Sequence, residues 1–241
     1  MEGDVLLLLK ENARLQEELI KVGKAFHDDI QVIPIILSHG TFSPKRLETW
    51  NYAKLARQDE KFLKRLSDGL ITLATSHNSD SVSINEKKAV SFLVAASNSA
   101  PELVQSLLAE TAIRAPRLHM LAREYVVPEK DWLNPISNLK LPCPDAEKLC
   151  PKFAKKYPLC TLFISNPSIH PIKELLRTDR FLEINFVVTL AARHFKDSRM
   201  LYNEILLPVW ESKNTKLAEV VLKALSNNPD LQAFCLDRLR E

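Results

Sequence analysis

Fourteen prolines stand against four glycines in this 241-residue chain, and eight of the prolines lie between Pro128 and Pro171. The glycines (Gly3, Gly23, Gly40 and Gly69) are scattered along the first third of the chain, never closer than 17 residues. Loops that cradle a phosphate or an oxyanion need clustered glycines to bring backbone N–H groups close. No dinucleotide fingerprint, P-loop or nucleophile elbow is therefore present. The prolines remove N–H donors every few residues, which forbids long regular helix across 128–171.

Outside that stretch the apolar residues step by three and four, the period of amphipathic helices. Ser43–Pro44 is an N-cap and N1 pair that predicts a helix carrying Leu47, Trp50, Leu55, Phe62, Leu66, Leu70 and Leu73. A polar break follows at 76–83, with further helices expected near 84–98, 101–114 and 116–126. Residues 30–37 are strand-like in composition, but Pro34 argues against a central strand and no second run is available to pair. A short buried helix or an extended connector is expected there. Within 128–171, short helices are expected near 145–149 and 152–164. The tail predicts helices over 172–178, 180–196, 197–211, 214–226 and 229–240.

From Met1 to Asp28 the spacing is heptad-like. Val5, Asn12, Leu19 and Phe26 take one seam position, and Leu8, Leu15 and Val22 take the other. Asn12 sits where a buried amide pair across a two-fold axis specifies a dimer. The seam therefore predicts a coiled-coil homodimer. The alternative is an amphipathic helix docked on its own body, since Leu6, Leu7 and Leu9 widen the apolar stripe. The chain then reads as four parts: an N-terminal helix at 1–28, a helical body at 29–127, a proline-rich connector at 128–171, and a C-terminal helical array at 172–241.

Two segments look alike. Ala89–Asn98 leads into Pro101–Leu108, and Ala218–Asn227 leads into Pro229–Leu236. Each is an apolar helix, a Ser-Asn turn, then Pro, an acid and Leu at the next helix start. Helix, tight polar turn and antiparallel helix resembles the unit stacked in HEAT and armadillo repeat proteins. The resemblance implies an all-α fold, an irregular HEAT-like helical array, with a groove that takes partner-protein segments.

Net charge is +3 and the sequence pI is about 8.6, too balanced to mark a nucleic-acid protein globally. Locally, Lys54, Arg57, Lys61, Lys64 and Arg65 recur at helical spacing, with Lys45 and Arg46 upstream. This basic face is the candidate anion or nucleic-acid surface. Trp50 is expected to pack inward beside it. Cys143, Cys150, Cys160 and His170 are candidate zinc ligands by type, but their gaps are too wide for the usual paired spacing, so buried free thiols are the expectation. No catalytic motif, cofactor site or membrane-spanning run is present. The chain is expected to be a non-enzymatic, intracellular (cytoplasmic or nuclear) adaptor that needs no cofactor and binds a partner protein or peptide. An α-helical nucleic-acid binder is the alternative.

Overall fold

The computed structural model describes residues 30–75, 82–134, 136, 138–226 and 228–238. The seven seam residues from Val5 to Phe26 lie outside that range. All regular structure among the described residues is helical, without strands. The chain divides into two compact units at Val104 and Gln105.

The first unit begins with a 3-10 turn, Ile30–Val32, and α1, Ile33–His39. Of the two readings open for residues 30–37, the helix is the one formed. Pro34 stands at N2, where its missing N–H costs nothing. The helix predicted to run on from Pro44 is instead three: α2, Pro44–Leu47; α3, Tyr52–Ala56; and α4, Glu60–Thr75. The breaks have local causes. Asn51 caps α3 by accepting from Lys54 N–H at 3.0 Å, and Asp59 accepts from Phe62 N–H at 2.7 Å. Two new helix starts inside one apolar period divide it. A capping box, Ser83 with Glu86, opens α5, Ile84–Ser97.

α1 packs along α4, and their approach is closest at Gly69, where an added Cβ would lie 2.4 Å from Pro34 O. Leu37, Leu55, Leu66, Leu70, Phe92 and Leu93 are wholly buried. Trp50 packs inward as expected, 5.8 Å from Phe42 and 5.9 Å from Phe92 between ring centres.

The second unit takes up the end of α6, Pro101–Arg114, followed by α7, Pro116–Val126, and a 3-10 turn, Glu129–Asp131. Then come α8, Ala146–Leu149; α9, Pro151–Lys156; α10, Pro158–Ser165; and α11, Ile169–Leu176. α12, Phe181–His194, is apolar on nearly every side and buried from Glu183 to Ala192 except at half-buried Asn185, so it forms the centre of this unit. A continuous stretch of helix follows: α13, Ser198–Leu201, a π turn, Tyr202–Leu206, and α14, Leu207–Glu211. The π turn has a covalent reason. Pro208 has no N–H to return to the carbonyl of Glu204. α15, Thr215–Leu225, packs on α12, while α16, Pro229–Arg238, packs on α13 and meets the π turn in a Tyr202–Phe234 ring contact.

The proline-rich stretch is not a separate connector. Trp132, Ile136, Cys143, Leu149, Cys150 and Phe153 are all core residues of the second unit. Helices here are indeed short, but prolines start them: Pro151 and Pro158 each occupy N1.

Candidate functional site

A stretch of chain poor in N–H donors still carries a carbonyl at every residue, and each buried one needs a donor from elsewhere. Arg123 supplies three of them. Its Nη2 donates to the carbonyls of Asp131 (3.0 Å), Trp132 (2.7 Å) and Asn134 (2.9 Å), and its Nε to that of Trp132 at 3.3 Å. Burial lowers the Arg123 pKa to about 10, opposed by Asp131 and Cys150, so it keeps its charge at neutral pH. The next residue does the complementary job. Buried Glu124 accepts from the N–H groups of Lys152 (2.9 Å) and Phe153 (3.2 Å), donors in the first turn of α9 that have no partner within the helix.

Two backbone hydrogen bonds hold the segment after Asn134 against α6 and α10. Lys140 N–H donates to Ala112 O at 2.9 Å, and Cys143 N–H donates to Ile164 O at 2.9 Å. Between these points lies the cis Leu141–Pro142 bond. The segment forms one wall of an open groove of about 610 Å³ within the second unit. Its floor and sides are Ile113 from α6, Ile136, Leu139 and Leu141 from the segment, and Leu190 from α12. Its polar lining is Asn138, Lys140, Arg193 and His194. Ile113 is 46% exposed, a large aliphatic side chain standing at the mouth. Lys140 and Arg193 are exposed, and neither has an ion-pair partner among the described residues. Among the described residues no carboxylate lines the groove.

The residues singled out in the sequence lie elsewhere. His194 sits half-buried in the last turn of α12 and lines the groove. The basic face belongs to the first unit and is split. Lys45 and Arg46 are on α2 and Lys54 is on α3; Arg57 follows α3, while Lys61, Lys64 and Arg65 are on α4. Lys54, Arg57, Lys61 and Lys64 are exposed, and Arg65 donates to Gln31 Oε1 at 2.6 Å. Trp50 and Tyr52 are buried, so neither presents a ring for base stacking. No family model, curated protein or solved structure matches the chain.

Among the described residues no three of His, Cys, Asp and Glu are placed to hold a metal ion, so the zinc candidates are not brought together. Cys143, Cys150 and Cys160 are buried free thiols, and His170 is exposed on α11. Burial raises the thiols of Cys143 and Cys150 to about 11 and about 12 and pushes Cys160 higher still. That is opposite to the shift an activated nucleophile needs.

Sequence reasoning missed the groove. Arg193 and Lys140 are ordinary surface residues by spacing. The available signal was indirect: four prolines at 128–144 leave the stretch with fewer N–H donors than carbonyls, and Arg123 is a basic residue on the apolar helix just before it.

Proposed function

We propose that the chain is a non-enzymatic α-helical adaptor that holds a segment of a partner protein in the groove beside α12. The reading rests on one observation: an open groove of about 610 Å³ with an apolar floor, an exposed Ile113 at its mouth and two cations, Lys140 and Arg193, without ion pairs among the described residues. Grooves between helices bind peptides through a few buried apolar anchors. The HEAT-like likeness of the 89–108 and 218–236 segments supports the same role, as does the predicted N-terminal seam, which would pair two grooves in a homodimer and raise affinity by linkage.

The test is selection from a random peptide-display library on the full chain, with counter-selection on Ile113→Arg. Ile113 is half exposed, so that change fills the mouth without disturbing the core. Peptides enriched on the parent chain and lost on the variant are expected. A library yielding only binders indifferent to Ile113→Arg removes the groove as the binding site.

The second reading is nucleic-acid binding by the first unit, favoured by the exposure of Lys54, Arg57, Lys61 and Lys64 without ion pairs among the described residues. Its sign is an affinity for duplex or single-stranded probes that falls steeply with salt. Charge reversal at Lys54, Arg57 and Lys61 should flatten that slope.

A further inference from the structure

The groove carries chemical information about its occupant. Resting on the adaptor reading above, we infer that it takes a short acidic-hydrophobic peptide, with one aliphatic or aromatic side chain seated among Ile113, Leu139 and Leu190 and flanking carboxylates on Lys140 and Arg193.

The charge pattern carries this choice. Among the described residues every ionisable group lining the groove is basic: Lys140 from the segment, Arg193 and His194 from α12. Elsewhere on the same unit several surface cations have acidic partners, while others, such as Lys155, Lys196 and Lys223, stand alone on open surface among the described residues. Arg117 pairs with Asp145, Lys156 with Glu129, Lys173 with Glu204 and Arg177 with Glu174. Lys140 and Arg193 have no such neighbour among the described residues, although they line one pocket on elements far apart in sequence. Helix polarity accounts for part of this, since Arg193 and His194 lie in the last turn of α12 where the backbone end is negative. It does not account for Lys140, which belongs to no helix. Arg193 is a planar fork suited to bidentate contact with a carboxylate, and Lys140 is a point charge beside it. The apolar floor excludes a purely ionic ligand, because Leu139 and Leu190 gain nothing from a hydrophilic chain. A basic or neutral segment would leave the two cations facing an uncompensated surface.

The experiment uses the full chain and three fluorescein-labelled peptides with the same two leucines, flanked by aspartate, by serine or by lysine. Anisotropy titrations are run at low and at high salt. The aspartate peptide is expected to bind at least tenfold more tightly than the serine peptide, and the lysine peptide to bind weakest. High salt should reduce the first preference. Arg193→Glu and Lys140→Glu, both at exposed positions, should invert the order in favour of the lysine peptide, whereas Lys61→Glu in the first unit should change nothing. Equal binding of all three peptides, abolished by Ile113→Arg, would overturn the acidic preference and leave the adaptor reading standing. Binding of none of them, together with a library that yields no groove-dependent peptide, overturns both. A photo-crosslinking residue at position 113 identifies what covers the mouth. Cross-linking to the labelled aspartate peptide supports the inference; cross-linking to residues 1–29 of the chain or to a second copy, undisplaced by that peptide, overturns it.

Discussion

At the scale of single residues, Arg123 is the one whose loss the second unit tolerates least. Four hydrogen bonds run from its guanidinium to three carbonyls of residues 131–134. Arg123→Met keeps most of the volume but removes the donors to the buried Trp132 carbonyl and the part-buried Asn134 carbonyl, while Asp131 O keeps the Asn134 N–H at 3.0 Å. A loss of about 1–3 kcal/mol is expected from urea denaturation, and a change under about 0.5 kcal/mol would mean that the carbonyls find water instead. One turn earlier, His119 is buried, with Nδ1 3.0 Å from Leu108 O. A carbonyl only accepts, so Nδ1 carries the proton. Burial first, and then the Arg123 charge, lower the His119 pKa to about 4, opposed by that backbone hydrogen bond. Its unfolded value is near 6.5, so the folded form binds the proton less readily. Stability is therefore full above about pH 6.5 and falls progressively as pH drops towards 4, by up to about 3 kcal/mol. His119→Asn keeps a donor for Leu108 but does not titrate. Its stability should be flatter between pH 6.5 and 4; an unchanged acid limb would assign the loss to other groups.

Among the elements, the crossing of α1 and α4 depends on the absence of a side chain. At Gly69 an added Cβ would meet the backbone of Pro34, which cannot swing away as a side-chain tip can. Gly69→Ala, although favourable for an isolated helix, is expected to destabilise by about 1–3 kcal/mol through overpacking. Thermal unfolding reads this directly, and a stabilised variant would show that the two helices separate at little cost. Gly40, by contrast, is used for its backbone: it ends α1 at φ 61°, the left-handed region. Helix starts were the most legible elements. Pro101, Pro116 and Pro229 each begin a helix at the expected residue. The division of 44–75 into three helices was legible too, in Asn51 and Asp59, but an unbroken apolar period outweighs two capping residues in any reading by periodicity alone.

For the whole molecule, the sharpest expectation concerns assembly. With Asn12 on a seam of Val, Leu and Phe, the full chain should have the mass of a dimer by light scattering, and replacing Leu15 and Leu19 with lysine should halve it. A monomer throughout would mean that the first helix covers its own body. No helix among the described residues is long and apolar enough to cross a membrane. Helix content and many helix starts were readable in the sequence because their causes are local: a cap three residues from its N–H, a proline at N1, an apolar residue every three or four positions. The role of the 128–171 stretch was misjudged for the converse reason. Whether a proline-rich segment is a connector or part of a core depends on donors brought from α7, and Arg123 and Glu124 reveal nothing of their partners by spacing. The groove is more distant still from the sequence. Ile113, Lys140 and Arg193 meet only because α6, the segment at 136–141 and α12 pack together. Burial and charge pairing between such remote residues arise from tertiary packing, to which local periodicity is blind.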